Sequence, residues 1–125
     1  MTAEVVTRPD LGVLAEDERI TQPLAYGYLR VPCDVPDGKV RRLEQALRAL
    51  AALRGLYLAT FFFEFSCGSQ VAFEELLTEL QRADAHYVVI PSVRHFARSL
   101  LLQNQMLTRL EYEAAAEVLA LRETA

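Results

Sequence analysis

The chain has 125 residues, a length that suits one compact domain with its own hydrophobic core. A hydrophobic content of 52%, a charged content of 24% and a mean hydropathy of +0.12 exclude an intrinsically disordered composition. The formal net charge of -4 excludes the overall basic excess of a free-standing DNA-binding domain, although it leaves room for a local basic patch.

Residues 1–23 are predicted to form an acidic, poorly ordered N-terminal arm, and residues 24–125 a single α/β domain. The arm shows no sustained periodicity, and Asp10, Glu16, Asp17 and Glu18 dominate its charge. We expect a plain flexible tail or a segment that docks on a partner.

Cysteine usage and hydropathy predict where the protein is found. Cys33 and Cys67 are the only cysteines, they have no CxxC spacing, and the N-terminus lacks the pattern of a secretory signal. No apolar run approaches the roughly 20 residues of a membrane span. These features predict a reduced, cytoplasmic protein with no membrane contact.

The first half of the domain predicts a strand, a helix and a second strand. Leu24–Val31 is apolar and aromatic, which is typical of a buried strand, and the sequence Pro36-Asp37-Gly38 indicates a loop. Val40–Leu53 carries apolar residues at helical spacing, and Gly55 ends that helix. Leu56–Phe63 is a continuous apolar run of strand length.

The second half predicts a helix over Val71–Gln81, a strand over Tyr87–Ile90 and a helix from Arg94 to about Leu110. Ala114–Leu121 fits either a helix or a final strand. The side chains expected to face the core are Phe73, Leu76, Leu77 and Leu80 in the first of these helices, and Phe96, Leu100, Leu101 and Leu107 in the second. Glu74, Glu75 and Glu79 are expected to form a solvated face.

Alternation of strands and helices implies right-handed crossovers and a mostly parallel sheet of about four strands between helices. The predicted fold is therefore an α/β three-layer sandwich of flavodoxin-like topology. In such a fold, the loops at Pro32, Ser66 and Pro91 gather at the carboxyl edge of the sheet. Any functional site is expected there.

Three segments at this predicted edge carry a family resemblance. Tyr28-Leu29-Arg30-Val31-Pro32 closes the first strand, Glu64-Phe65-Ser66-Cys67-Gly68 closes the second, and Arg94-His95-Phe96-Ala97-Arg98-Ser99 follows the third. In order and spacing they resemble the catalytic domain of the serine recombinases, the resolvase/invertase family. The corresponding family segments read Tyr-x-Arg-Val-Ser, an acidic residue followed by Ser-Gly, and Asp-Arg-Leu-x-Arg-Ser.

The resemblance implies an enzyme scaffold that lacks its nucleophile. In that family a serine hydroxyl attacks a DNA phosphodiester, and arginines hold the phosphate and stabilise developing charge. Pro32 stands at the serine position, while Gln70 and His95 stand where arginines are expected. The implied degenerate site, in which no residue is assigned a catalytic role, consists of Tyr28, Arg30, Pro32, Glu64, Gln70, His95 and Arg98.

Neighbouring nucleophiles are not expected to replace the serine. Cys33 follows Pro32 and is chemically capable as a thiolate, but a shift of one residue at a strand end usually points the side chain elsewhere. Ser66 and Ser92 are interpreted as ordinary loop and cap residues.

Anion binding is the remaining chemistry at this edge, and the candidates for it are Arg30, Arg94, His95 and Arg98. The alternative is that these residues cap the third helix or pair with an acidic group such as Glu64. The two histidines and two cysteines match no common zinc spacing, and no glycine-rich phosphate loop is present. Neither a metal nor a cofactor is predicted.

The first functional hypothesis is a catalytically inactive regulatory or structural module that binds a protein partner or forms a homo-oligomer. The alternative is a DNA-associated protein that holds phosphates through Arg30, Arg94 and Arg98, or a residual DNA strand-exchange factor. A small-ligand binder of flavodoxin-like fold is the third. The resemblance also implies a dimerisation helix and a helix-turn-helix after the catalytic domain, and nothing after Leu121 matches either.

Overall fold

The computed structural model describes residues 22–32, 34–65 and 69–122, and the predicted acidic arm lies almost wholly outside these described residues. A short 3-10 turn, Val93–His95, follows the third strand. The strands are β1 (Leu24–Arg30), β2 (Tyr57–Glu64), β3 (Tyr87–Ile90) and β4 (Glu117–Ala120), and the helices are α1 (Asp37–Leu53), α2 (Val71–Ala83) and α3 (Leu100–Ala114).

The four strands form one parallel sheet in the order β2-β1-β3-β4. Helix α1 packs on one face, and α2 and α3 pack on the other. This confirms the predicted α/β three-layer sandwich with flavodoxin-like strand order. Because all strands are parallel, their carboxyl ends lie along a single edge of the sheet.

Two apolar cores flank the sheet, because successive side chains of a strand point to opposite faces. In β1, Tyr28 points toward α2 and α3 and contacts Phe73 and Phe96. Its neighbour Leu29 points toward α1 and packs with Leu47. All five of these side chains have no exposed surface, and full burial of each aliphatic or phenylalanine side chain contributes about 1.5–3 kcal/mol.

The structure explains why glycine is present at positions 27 and 55. A β-carbon on Gly27 would lie 2.3 Å from Cδ1 of Phe61, so the absence of a side chain allows the Phe61 ring to lie across β1. Gly55 has a φ of 72° and ends α1 as predicted, since glycine adopts this left-handed conformation without steric cost.

The predicted strands are confirmed to within one residue, and the ambiguous segment Ala114–Leu121 resolves into the end of α3 followed by β4. Helix α1 begins at Asp37, immediately after Pro36, so the predicted loop is shorter than expected. Leu53, the last apolar residue in the helical pattern of Val40–Leu53, is 83% exposed and so does not face the core. All four predicted core residues of α2 are buried.

The prediction of one continuous helix from Arg94 to Leu110 is wrong. The chain forms the 3-10 turn, then an irregular stretch, and α3 begins only at Leu100 with the Ser99 hydroxyl accepting a hydrogen bond from the Leu102 amide at 3.1 Å. Leu100 and Leu101 are therefore exposed, and the residues of α3 that face the core are Gln103, Met106, Leu110 and Ala114.

Candidate functional site

Three strand ends meet at the carboxyl edge of the sheet. Arg30 is the last residue of β1 and is paired in register with Glu64, the last residue of β2. The loop after β3 brings the 3-10 turn and His95 to the same place, where the Arg30 amide donates a hydrogen bond to Nδ1 of His95 at 3.0 Å. The predicted site residues of all three segments are thus contributed by one edge.

Glu64 is buried at this edge, with 2% of its surface exposed. Its carboxylate accepts hydrogen bonds from the Tyr28 hydroxyl at 2.9 Å and the Ser69 hydroxyl at 2.8 Å. It also accepts from the amides of Ala72 and Phe73, at 3.1 and 3.2 Å. These amides are in the first turn of α2, so Glu64 caps that helix from outside its own sequence.

Burial and hydrogen bonding act in opposite directions on Glu64. Burial raises the pKa of the carboxyl and is the largest single influence, but the bonds from Ala72, Ser69, Tyr28 and Phe73 together outweigh it and lower the pKa of Glu64. Burial and the bond to Glu64 raise the pKa of Tyr28 above its usual range. At neutral pH the pair is therefore a carboxylate and a neutral phenol.

The Arg30 guanidinium is held mainly by main-chain carbonyl groups. Its Nε donates to the carbonyl of His95 at 3.1 Å, and its two terminal nitrogens donate to the carbonyls of Ser69 at 3.0 Å and Phe96 at 2.8 Å. A further bond of 3.3 Å reaches the Tyr28 hydroxyl. We call Tyr28, Arg30, Glu64 and Ser69 the inner network.

His95 is a neutral imidazole in this structure. Its burial, followed by the positive charges of Arg122, Arg30 and Lys39, lowers the pKa of His95 to about 4. Because Nδ1 accepts a hydrogen bond from the Arg30 amide, the ring proton lies on Nε2. Any contribution of His95 to anion binding at neutral pH is therefore a single N–H donor and no net charge.

Several cationic side chains lie on the solvent side of the carboxyl edge that carries His95. Lys39, Arg94, Arg98 and Arg122 are exposed, and we call them the outer rim. The main-chain amide of Arg122 donates to the carbonyl of Pro91 at 3.0 Å, which fixes the chain after β4 beside the end of β3. Lys39 belongs to the first turn of α1.

Arg30 and Arg98 share a cavity of about 310 Å³ beside the start of α3. Its lining also includes Gln70, and its apolar wall is formed by Phe96, Ala97 and Leu102. The structure thus brings three of the predicted site residues into one concavity. Tyr28 and Glu64 lie behind Arg30, and Arg94, His95 and Pro32 are not among the residues lining this cavity.

Pro32 is half-buried in the turn that leaves β1, and its carbonyl accepts a hydrogen bond from the Val35 amide at 3.0 Å. Ser92 is 3% exposed, and its carbonyl accepts from the His95 amide. Cys33, Ser66 and Cys67 lie outside the described residues.

Sequence reasoning missed three contributors to this edge, which are Ser69, Lys39 and Arg122. The only available signal for Ser69 was its position one residue before Gln70, at the start of a predicted helix. The location of Arg122 could not be predicted because residues 114–121 fitted either a helix or a strand. Only a strand in that segment delivers Arg122 to the carboxyl edge.

Solved structures of known proteins share this architecture. The C-terminal catalytic domain of ISC1926 TnpA, an IS607-like serine recombinase, matches with a TM-score of 0.67 and 14% sequence identity, over 81% of this chain and 72% of that chain. The N-terminal catalytic domain of TP901-1 integrase matches with a TM-score of 0.60 and 14% identity, over 78% of this chain and 76% of that chain. This chain has the fold of a serine-recombinase catalytic domain. The expectation from the three sequence segments is confirmed at the level of the fold.

Sequence comparison gives no match to this recombinase-like chain, either among protein-family models or among curated proteins. Among the described residues, no group of three or more His, Cys, Asp or Glu side chains is arranged to hold a metal ion. Nor does any helix of residues 22–122, in the parts described, have the length and apolarity of a membrane span.

Proposed function

We propose that this recombinase-like domain is catalytically inactive and acts as a regulatory or structural protein-interaction module. The observation that supports this most is Pro32, which stands where the resemblance places the attacking serine. Proline carries no hydroxyl, thiol or amine, so it cannot form the covalent link to phosphate on which recombinase chemistry depends.

The hydroxyl groups of Tyr28 and Ser92, two buried residues at this edge, do not take over this role in our proposal. The Tyr28 hydroxyl is inaccessible, because the residue is fully buried, and it donates its proton to Glu64. Ser92 is also buried. A nucleophile must reach its target atom and have a base within hydrogen-bond distance, and neither residue meets the first condition.

Exposed apolar side chains beside the cavity support the interaction role. Val71, Leu100 and Leu101 are 66%, 70% and 71% exposed, and each is within one residue of a cavity-lining residue. Exposed apolar groups next to a concavity are typical of surfaces that bind a protein partner. The recombinase-like edge then serves as a contact surface.

Trapping a covalent protein–DNA adduct tests the inactive assignment. Purified protein is incubated with double-stranded and nicked DNA, and intact protein mass is measured after denaturation, with an active serine recombinase as the positive control. We expect an unchanged mass. An adduct would refute the proposal, and its loss in Cys33→Ala, Ser66→Ala or Ser92→Ala would then identify the nucleophile.

Paired surface variants test the interaction role separately. Sedimentation velocity is used to measure self-association, or binding to a partner captured from the native host, for Leu100→Asp/Leu101→Asp. The matched control is Leu53→Asp, which changes an exposed leucine of α1 on the other face of the sheet. We expect the α3 variant to lose association and the control to keep it. Equal association in both would contradict this assignment.

DNA association without chemistry is the second candidate function, favoured by the outer rim. The positive charges of Arg122, Arg30 and Lys39 lie close enough to His95 to lower its pKa. Positive potential is therefore concentrated at this edge, although the net charge of the whole protein is -4. Phosphate groups are the natural ligands of such a surface.

Salt-dependent DNA binding distinguishes this candidate. Arg98→Ala should weaken the binding of a short duplex and reduce the slope of log K against log salt by about 1, measured by fluorescence anisotropy. Arg82→Ala is the matched control, because Arg82 is exposed on α2 and is paired with Glu79. Absence of wild-type binding at low ionic strength would eliminate this candidate.

A further inference from the structure

The β2 edge strand presents an aromatic row to its α1 side. The Phe61 and Phe63 ring centroids are 6.1 Å apart, and Phe63 stacks on Phe65 at 6.0 Å. The Arg48 guanidinium lies 5.0 Å from the Phe61 centroid, which extends the row onto α1. We call Arg48, Phe61, Phe63 and Phe65 the β2 edge surface.

The main chain of β2 is open on the side away from β1. The Glu64 carbonyl accepts a hydrogen bond from the Val31 amide, so Glu64 faces β1. Because the N–H and C=O groups of a strand alternate in direction, those of Phe61 and Phe63 point away from β1. No described strand pairs with β2 on that side. Natural proteins usually cover or blunt such an edge.

Helix α1 gives this surface a positive charge. With its capping residue Arg54, it carries five basic residues against two acidic ones, a net charge of +3. Of these cations, Arg41 and Arg48 are exposed and seven residues apart, so they lie on one side of the helix. The Phe61 contact of Arg48 shows that this side faces the β2 edge.

The acidic N-terminal segment joins the domain beside this surface. The Tyr57 amide donates to the Pro23 carbonyl at 2.9 Å, so the chain that precedes β1 reaches the sheet at the amino end of β2. Residues 1–21 contain five acidic residues and two arginines, a net charge of -3. This charge is opposite in sign and equal in size to that of α1 with its cap.

Electrostatic repulsion disfavours pairing of the open β2 edge with the same edge of a second copy of the protein. Antiparallel pairing of two β2 edges about a two-fold axis would place each α1 beside its copy, and each α2 beside its copy. The first contact would bring together the arginines of α1. The second would add little repulsion, because Glu74 is paired with Arg109 and Glu79 with Arg82, so the electrostatic cost of this pairing comes mainly from the α1 layer.

We propose that the acidic segment within residues 1–21 of the same chain docks on the β2 edge surface, adds an extended segment to β2, and places its carboxylates against Arg41 and Arg48. Extended segments are often bound through the main chain of an open strand edge. Covalent attachment at Pro23 gives the segment an effective concentration of the order of millimolar, an advantage that a separate nucleic acid or acidic peptide lacks.

Chain length allows the proposed contact. At about 3.3 Å per residue, Phe61 lies roughly 13 Å along β2 from Tyr57. Glu16 and Asp17 precede Pro23 by seven and six residues, or roughly 20 Å of extended chain. The antiparallel route crosses about 10 Å from β1 to the outer side of β2 and then follows β2 for about 13 Å, and the long side chains of Glu16 and Arg48 cover the last few ångströms.

Hydrogen exchange in the full-length protein at low ionic strength tests this proposal. The variant Glu16→Lys/Asp17→Lys should make the outward amides of Phe61 and Phe63 exchange about three- to tenfold faster. The matched control Glu111→Lys/Glu117→Lys makes the same charge change at exposed acids of α3 and β4. It should leave the exchange rates of the Phe61 and Phe63 amides unchanged. Adding Arg41→Glu/Arg48→Glu to the first variant should restore slow exchange, because the charge pairs are then reversed.

Amides of Val88 and Val89 in β3 report on global stability and should exchange equally in all variants. Unchanged exchange at β2 in the Glu16/Asp17 variant, or equal acceleration in the control, would overturn the proposal. So would protection that rises with protein concentration, which assigns the surface to a second copy. Protection of β2 that appears only on adding a 12-nucleotide single strand, equally in wild type and variant, would assign it to nucleic acid.

Discussion

The inner network and the outer rim lie at the same edge of the sheet, but their side chains have different surroundings. Tyr28 and Glu64 are buried and bonded to each other, and Arg30 is bonded to three main-chain carbonyls. Arg94 and Arg98, by contrast, extend into solvent. Residues that a recombinase resemblance groups together therefore divide into a part that supports the fold and a part that faces solvent.

This division teaches that residue type and spacing identify an edge without identifying the role of each residue. An arginine that donates to carbonyls of two loops stabilises the loops, whatever its relatives bind. An arginine on the rim exposes its guanidinium to solvent. The predictions below test this contrast, beginning with the largest effect.

Replacing Glu64 by alanine should cost about 3 kcal/mol of unfolding free energy, because it leaves two hydroxyls and two α2 amides without their acceptor in a buried place. Urea unfolding measures the loss. Glu75→Ala, an exposed change on α2, should stay within about 0.5 kcal/mol. Similar losses for the two variants would show that Glu64 does not hold the edge together.

His95 should make stability depend on pH in a defined window. Its folded pKa of about 4 lies below its unfolded value of 6.5, so the unfolded chain binds the proton more readily between these values. Stability is fully present above about pH 6.5 and falls as pH decreases toward 4, by about 2 kcal/mol after solvent screening.

His95→Asn supplies the control for that window, because the asparagine carbonyl oxygen takes the place of Nδ1 as acceptor from the Arg30 amide. The difference in unfolding free energy between wild type and variant, measured by urea unfolding at pH 4.5 and pH 6.5, isolates this residue from titrating carboxyls. We expect the wild type to lose more on acidification. Parallel pH profiles would contradict a half-buried, neutral imidazole at position 95.

Tyr28→Phe should have a smaller effect than either of these changes, about 1 kcal/mol. The ring keeps its contacts with Phe73 and Phe96, while Glu64 loses the hydrogen bond from the Tyr28 hydroxyl and Arg30 loses its 3.3 Å bond to the same group. Urea unfolding with a matched Tyr112→Phe control, at a site that is 80% exposed, measures the difference. A cost equal to that of Glu64→Ala would place the hydroxyl at the centre of the network.

Much of the fold was accessible from sequence because its signals are local. The strand lengths, the helical spacing of Phe73, Leu76, Leu77 and Leu80, and the glycine stop at Gly55 each depend on neighbours in the chain. Alternation of these elements then implied a parallel sheet. The same reasoning located the carboxyl edge and its loops.

The start of the third helix was predicted wrongly because a residue distant in the sequence determines where that helix begins. Arg30 donates to the carbonyls of His95 and Phe96, which in a continuous helix would accept from residues four positions later. The two residues of each pair are separated by 65 and 66 positions, so no local pattern contains this contact. The chain restarts its helix at Leu100 behind the Ser99 cap, and Leu100 and Leu101, two of the three leucines expected inside, are exposed.

The candidate site was predicted by position and not by role. Family resemblance pointed to Arg30, Glu64 and Arg98, and the structure shows that Arg30 and Arg98 share a cavity while Glu64 lies behind it. Burial and the direction of hydrogen bonds depend on packing between elements. These could not be derived from the residue types alone.

Urea unfolding of Arg30→Met and Arg98→Met, measured side by side, tests most directly the claim that this edge divides into an inner network and an outer rim. Both changes remove one guanidinium and keep a long apolar side chain. We predict a loss of about 3 kcal/mol for Arg30→Met and of less than about 0.5 kcal/mol for Arg98→Met. Equal losses, or a larger loss for Arg98→Met, would contradict the account.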